Sequence, residues 1–227
     1  MSSAAPEAMS SSRMVVRDGE GLLAIDVIPS EAEAVARADA EDMAAVEGFA
    51  SASRRTERLT WRRVLREVLA EYFGCTFPRG LRIEYSAAGA PSLKDFPMLN
   101  ISVSHCRDMV AVAVSHADPT VGGVRSRGAC GADIERTDRD FDRVAPRYVT
   151  AEERALSSDP CLPAAVWCAK ECLFKMQGRK GLDLRRDIRV TRIDFAAGTV
   201  AGRVAGNPEV VMRMLFVGEA HLVVFHI

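Results

Sequence analysis

Two carboxylates near the middle of the chain have the spacing that a metal site on a strand would need. Asp133 and Glu135 lie in Cys130-Gly131-Ala132-Asp133-Ile134-Glu135, a segment that alternates like a strand. Alternation places Ala132 and Ile134 on one face and both carboxylates on the other. Such a pair repels itself unless a cation or base lies between the two groups, and an oxygen-rich site with open positions suits Mg²⁺. A solvated strand end would also produce the pattern.

A second charged group lies on a predicted helix. The run from Pro163 to about Gln177 has proline in its first turn, and Gly178 follows to end it. At about 100° per residue, Lys170 falls inside an apolar arc. The pattern therefore predicts either a snorkelling lysine or a negatively charged partner. Glu171 and Lys175, at i and i+4, lie together at the edge of the arc, where a helix-surface ion pair is the alternative to a functional role.

These two segments occur together in a known family. Gly131-Ala132-Asp133-Ile134-Glu135, followed by Trp167-Cys168-Ala169-Lys170-Glu171-Cys172-Leu173-Phe174-Lys175, resembles the paired signature of the 4′-phosphopantetheinyl transferase superfamily. Enzymes of this family move phosphopantetheine from coenzyme A onto a serine of a carrier protein. The resemblance is to the two-half, surfactin-synthetase-activating type.

The resemblance implies a role for each charged residue of the signature. Asp133, Glu135 and Glu171 would hold Mg²⁺ against the pyrophosphate of coenzyme A. Lys170 and Lys175 would face the same pyrophosphate, which would supply the anionic partner of Lys170. Glu171, or a metal-bound water near it, is the expected base for the attacking serine, and adenosine 3′,5′-bisphosphate is the expected leaving group.

The first half carries an arginine-rich helix that the resemblance relates to the 3′-phosphate of coenzyme A. The predicted helix 53–73 has an inward apolar stripe and a row of arginines at i+4 spacing, which a solvated basic face would also explain. Family members carry an arginine-bearing helix near this point. Arg55 and Arg62 are the expected phosphate ligands, because a guanidinium binds phosphate through two donors.

Two further first-half positions bear on the coenzyme. Ser104-His105 ends the predicted strand 100–105, where family members carry Ser-His with the histidine near the 3′-phosphate or the adenosine. A packed or surface histidine is the alternative. Ala90 stands where the family often has a lysine, so one cationic contact is missing.

Composition is that of an ordinary globular protein. The chain has 227 residues, 48% hydrophobic and 27% charged, with a formal net charge of −1, so global charge recruits neither nucleic acid nor a membrane. Met1–Ser12 predicts a flexible tail with no secretory signal, and no run is long enough to span a membrane. We expect a cytoplasmic protein with six reduced cysteines. Cys168 and Cys172 lack the further ligands that structural zinc needs.

The other predicted elements alternate between helix and strand. A strand follows the turn at Asp18-Gly19, and Ser30 with Glu33 predicts a capping box opening a helix to about Glu47. Thr150 with Glu153 predicts another capped helix. The remaining predictions are strands at 81–86, 100–105, 109–115, 188–195, 199–204, 210–217 and 222–227, and a turn at 87–93.

The resemblance implies an α+β fold in which two similar α/β halves form a pseudo-dimer. We expect a tail at 1–12, a first half at 13–120 that binds the 3′-phosphate of coenzyme A, and a second half at 121–227 that binds Mg²⁺ and pyrophosphate. Coenzyme A and an apo acyl or peptidyl carrier protein are the expected partners, and a monomer would suffice. The Gly122–Gly128 insertion predicts a hairpin without an assigned role. A metal-dependent nuclease and a non-catalytic coenzyme A-binding scaffold are the alternatives.

Overall fold

The computed structural model describes residues 7–8, 13–77, 79–117, 130–178 and 180–227. The helices within these ranges are α1 (Glu31–Ala36), α2 (Ala40–Ala44), α3 (Ala52–Phe73), α4 (Ala151–Arg154) and α5 (Leu162–Gln177). The strands are β1 (Glu7–Ala8), β2 (Met14–Asp18), β3 (Gly21–Val27), β4 (Ile83–Tyr85), β5 (Pro91–Leu93), β6 (Leu99–His105), β7 (Met109–His116), β8 (Gly131–Arg136), β9 (Ile188–Asp194), β10 (Thr199–Val204), β11 (Val210–Val217) and β12 (His221–His226).

The strands form two five-stranded sheets and a small hairpin. The first sheet has the order β1-β2-β3-β7-β6 and the second the order β8-β12-β11-β10-β9, while β4 pairs with β5. All pairs are antiparallel, and Asp133 of β8 is opposite Val224 of β12. The predicted α+β class is confirmed.

Each sheet has a long helix on its outer face, and the inner faces of the two sheets share a core. Strand β3 illustrates this arrangement, because the side chains on both of its faces are buried. Leu22 and Ala24 pack with α3, whereas Leu23 and Ile25 pack with Ile134 and other second-half residues. On the far side, α5 packs against strands β9 to β12. The resulting layers are helix, sheet, sheet and helix.

The second half agrees closely with the sequence-based predictions. Helix α5 has proline in its first turn and ends at Gly178, whose φ of 56° is in the left-handed region that glycine adopts without strain. Thr150 and Glu153 form the predicted capping box of α4. Strands β9 to β12 lie within one or two residues of the predicted ranges.

Two predictions in the first half were wrong in detail. The helix predicted from Ser30 to Glu47 is two short helices, because Asp39 and Asp42 form a second capping box that starts α2. The predicted turn at 87–93 includes β5, which pairs with β4.

Some predictions lie outside the described residues. These are the Gly122–Gly128 hairpin and, apart from the short strand β1, the tail at 1–12. The boundaries of the two halves and the pseudo-dimer stay predictions. In the described part of the chain, no helix combines the length and apolar character that crossing a membrane requires.

Candidate functional site

Asp133 is the central residue of the candidate site. It lies on β8, is only 5% exposed, and points toward α5. Its Oδ1 accepts hydrogen bonds from Lys175 Nζ and Ser104 Oγ, each at 2.7 Å. Its Oδ2 is buried and accepts no hydrogen bond from the described residues. A buried carboxylate oxygen without a donor is costly, so this atom is suited to a cation.

Glu135 and Glu171 add negative charge beside Asp133. Burial, followed by the repulsion of Asp133, raises the pKa of both glutamates above the ordinary value. Arg139 Nη1 donates to Glu135 Oε1 at 2.8 Å, whereas no hydrogen bond from a described residue reaches Glu171. The ligand oxygens of the three carboxylates are not all within 4.8 Å of one another. The side chains would therefore have to move closer together around an ion.

Lys175 connects these carboxylates to a cleft between the two halves. Its Nζ donates to Ala132 O at 2.8 Å and to Asp133, which leaves one of its three N–H donors for a ligand. The cleft has a volume of about 370 Å³, within the range of about 300–1,000 Å³ that small-molecule sites have. Its first-half lining includes residues 84–86, 90–94 and 97, and Lys175 and Gly178 line it from the second half.

Serines of β6 hold the two halves together beside Asp133. Strand β8 is at the edge of its sheet, so its outward N–H groups need acceptors. Ala132 N donates to Ser102 Oγ at 3.1 Å, and Ile134 N donates to Ser104 Oγ at 3.3 Å. Ser104 is therefore buried between the halves, and its own hydroxyl proton goes to Asp133.

Lys170 lies outside the cleft, which corrects the expectation that it faces the pyrophosphate. Its side chain is completely buried. Its Nζ contacts Glu153 Oε1 at 2.9 Å, Tyr148 O at 2.7 Å and Leu184 O at 2.8 Å. These acceptors use all three donors of the ammonium group. The anionic partner that its place in the apolar arc required is Glu153.

Arg62 is also internal, contrary to the expectation that it binds phosphate. It is 3% exposed, and its guanidinium donates to Asp42 Oδ1 at 2.7 Å and to Leu81 O at 2.6 Å. Arg55 is half-buried and pairs with Glu31 at 2.6 Å. The structure brings neither arginine to Asp133.

His105 is exposed at the end of β6, where its Nδ1 lies 3.4 Å from Glu57 Oε2. It lines a second cavity of about 550 Å³ together with Glu135 and Arg139. His105 is therefore near the carboxylates but not in contact with Asp133.

Two arginines near the site were not singled out from the sequence. Arg139 donates a hydrogen bond to Glu135. Its position four residues after Glu135 in the sequence could have indicated this ion pair. The guanidinium carbon of Arg58 lies 4.9 Å from the ring centre of Tyr85, which lines the cleft, and 5.1 Å from that of Trp61. Arg58 and Tyr85 are far apart in the chain, so no local sequence pattern indicates their contact.

Comparison with known proteins gives one family. Residues 129–213 match the family model described as the 4′-phosphopantetheinyl transferase superfamily. A search of curated proteins finds no match. The matched segment contains β8, α4 and α5, and with them Asp133, Glu135, Glu171 and Lys175.

Proposed function

We propose that the chain transfers 4′-phosphopantetheine from coenzyme A to a serine hydroxyl of an apo carrier protein, a proposal supported by the match of residues 129–213 to the model of the 4′-phosphopantetheinyl transferase superfamily. The observation that carries the proposal is the position of Asp133. This buried carboxylate has an oxygen without a donor, and it is joined through Lys175 to the cleft between the halves.

The residues around Asp133 fit a magnesium ion. Asp133, Glu135 and Glu171 supply the oxygen donors that Mg²⁺ prefers, and burial together with the repulsion of Asp133 raises the pKa of each glutamate. When bound, Mg²⁺ would neutralise charge on the pyrophosphate and make the attacked phosphorus more electrophilic.

Lys175 would bind a pyrophosphate oxygen. Its side chain is 25% exposed and lines the cleft, and its third N–H is available. Asp133 and the carbonyl of Ala132 hold the ammonium in place, so its position is set before the coenzyme arrives. Lys170 cannot share this task in its observed position, since each of its donors is used inside the protein.

Glu171 is the proposed acceptor for the proton of the attacking serine. Its raised pKa moves its basicity toward the operating pH, which favours general base catalysis. The serine oxygen then bonds to the β-phosphorus of coenzyme A, and the bond from that phosphorus to the bridging oxygen breaks. Adenosine 3′,5′-bisphosphate leaves with this oxygen.

The carrier protein supplies the nucleophile, so the site needs no serine of its own. A cleft lined by both halves of one chain makes a monomer sufficient for the reaction. All six cysteines are free, as expected in the reducing cytoplasm where we place the protein.

Intact-protein mass spectrometry of a panel of apo carrier proteins tests the proposal. Each carrier is incubated with the protein, coenzyme A and Mg²⁺, beside a matched carrier whose acceptor serine is replaced by alanine. We expect a gain of one phosphopantetheinyl group on at least one serine-bearing carrier, and no gain with a chelator or with Glu171→Gln.

Failure on every carrier would overturn the proposal. Calorimetry with coenzyme A then distinguishes the alternative functions, because binding of coenzyme A without transfer indicates a coenzyme A-binding scaffold. Cleavage of DNA with Mg²⁺ would indicate a nuclease.

A further inference from the structure

A second group of metal-ligand side chains lies at the contact between the two halves. Cys106 and Asp108 belong to the connection between β6 and β7, and His221 is the first residue of β12. Within the described ranges, these three side chains are the one group of histidine, cysteine and carboxylate ligands whose ligand atoms all lie within 4.8 Å of one another.

The distances match a tetrahedral metal ion. Zinc bonds of about 2.3 Å to sulfur and about 2.0–2.1 Å to nitrogen and oxygen place sulfur about 3.5 Å from a ligand oxygen and nitrogen about 3.3 Å from it. Cys106 Sγ lies 3.6 Å from Asp108 Oδ1, and His221 Nε2 lies 2.8 Å from the same oxygen. The histidine nitrogen must retreat from the aspartate oxygen by about 0.5 Å when coordination replaces its hydrogen bond.

The surroundings of Asp108 are those of a metal-binding carboxylate. Arg136 Nη1 donates to Asp108 Oδ2 at 2.7 Å, so the second oxygen is held while Oδ1 faces the cysteine and the histidine. Metal ligands usually have such an outer partner, which fixes their orientation. A thiolate and a carboxylate would balance a divalent ion, and Arg136 is balanced by Asp138.

This group lies beside the candidate catalytic site but shares no ligand with it. His221 is opposite Arg136 in the pairing of β12 with β8. Because side chains alternate along a strand, Arg136 and Glu135 point to opposite faces of β8. Cys106 and Arg136 nevertheless line the same cavity of about 550 Å³ as Glu135, so an ion held by Cys106, Asp108 and His221 would lie at the edge of that cavity.

A nucleophilic cysteine does not fit the same geometry. The thiol of Cys106 donates to Asp108 Oδ1 and to Met109 O, whereas the imidazole of His221 contacts the same aspartate oxygen and not the thiol. Burial also raises the pKa of Cys106 to about 11, the reverse of what a reactive cysteine needs.

We propose that Cys106, Asp108 and His221 form a zinc site that joins the β6–β7 connection of the first half to β12 of the second half. Water completes the tetrahedron, and the thiol proton is released to solvent when the ion binds. The sulfur ligand favours Zn²⁺ over Mg²⁺, which prefers oxygen.

Metal titration of the tag-free, full-length protein in excess Mg²⁺ tests the site. We expect about one Zn²⁺ per chain by competition with a chromogenic chelator, and a sulfur-to-cobalt absorption band when Co²⁺ replaces zinc. Cys106→Ser should abolish the band and weaken zinc binding by about 100-fold or more, and Arg136→Gln should weaken it by about tenfold.

Cys161→Ser is the matched control. Cys161 is also half-buried and also lies two residues from an aspartate, Asp159, but it belongs to no such ligand group among the described residues. This variant should keep the cobalt band and the zinc affinity of the wild type.

Thermal unfolding with and without zinc gives an independent readout. Zinc should raise the Tm of the wild type and of Cys161→Ser, but not that of Cys106→Ser or His221→Asn. Absence of a cobalt band in the wild type, or a band that survives Cys106→Ser, would overturn the proposal. In that case, the three side chains form only a hydrogen-bonded contact between the halves.

Discussion

The two halves place a long helix against a strand that carries an acidic residue, but they use the charge differently. In the first half, Asp26 of β3 binds Arg63 of α3 at 2.9 Å, and in the second half Asp133 of β8 binds Lys175 of α5 at 2.7 Å. Both aspartates are nearly buried. The spatial order β3-β7-β6 also parallels β8-β12-β11.

The difference lies in the balance between carboxylates and cations. Arg63 serves both Asp26 and Glu67, and Arg62 and Arg66 share Asp42. These pairs hold α3 to its surroundings. In the second half, three carboxylates face Lys175 and Arg139, and one buried oxygen of Asp133 accepts no hydrogen bond from the described residues.

Under the proposed function, the same arrangement of strand and helix serves structure in the first half and chemistry in the second. Balanced pairs stabilise the helix contact, because each buried charge has its partner. Excess negative charge costs stability but creates affinity for a cation and raises the pKa of the neighbouring acids. We expect matched substitutions in the two halves to separate these effects.

The largest expected effect comes from Asp133→Asn compared with Asp26→Asn. Asp133→Asn should lower the rate of phosphopantetheine transfer by about 10³-fold or more, because metal neutralisation contributes several kcal/mol to a transition state. Asp26→Asn should cost about 2–4 kcal/mol of unfolding free energy and leave the rate per folded molecule unchanged. Mass-spectrometric rates and urea unfolding measure the two quantities. Equal loss of activity in both variants would contradict the comparison.

Lys170→Met should act on stability rather than on transfer. It leaves Glu153 buried without its cation, which should cost about 3–5 kcal/mol of unfolding free energy. The double variant Lys170→Met/Glu153→Gln should recover part of this loss, since the buried charge is removed as well. Urea unfolding of the single and double variants checks this. A Lys170→Met variant that is stable but inactive would contradict the prediction and indicate a catalytic role for Lys170.

Glu171→Gln should stabilise the protein while it abolishes transfer. The pKa of Glu171 is higher in the folded than in the unfolded state, so folded molecules bind the proton more tightly. The free energy of unfolding therefore decreases as the pH rises from the unfolded-state pKa of Glu171 to its folded-state pKa. At neutral pH the ionised side chain still destabilises the folded protein. Removing the charge should add about 0.5–1 kcal/mol at pH 7 and nothing at pH 3.

The pH dependence of transfer provides the matching kinetic measurement. Because ionised Glu171 is the proposed base, the acid limb of kcat/KM, which reports groups of the free enzyme, should lie above the ordinary pKa of a glutamate when Mg²⁺ is subsaturating. An acid limb at or below that ordinary value would contradict the assignment.

The last comparison concerns Ser104→Ala, which should affect stability only. It removes the hydrogen bond to Asp133 and the acceptor of Ile134 N, which should cost about 1–2 kcal/mol of unfolding free energy. Ser92→Ala, at the exposed middle position of β5, is the control and should change stability by less than about 0.5 kcal/mol. Thermal unfolding distinguishes the two, and equal Tm values would show that the contact of Ser104 with β8 adds no stability.

The sequence alone determined the local elements of the second half and carried the resemblance that residues 129–213 bear to the family model. Helix α5, its end at Gly178, the capping box of α4 and the alternation of β8 depend on neighbours a few residues apart, so their patterns are readable in the chain. The same short range could have revealed α2, since Asp39 and Asp42 repeat the spacing of a capping box.

Only the tertiary structure decided which charged residues face the cleft. Lys170 and Lys175 both look like cations beside carboxylates in the sequence, yet Glu153 and two carbonyls use every donor of the first, while the second keeps one. The ion pair of Arg62 with Asp42 likewise could not be predicted from the sequence. Each partner is distant in the chain and is brought close only by packing, so periodicity and propensity contain no information about it.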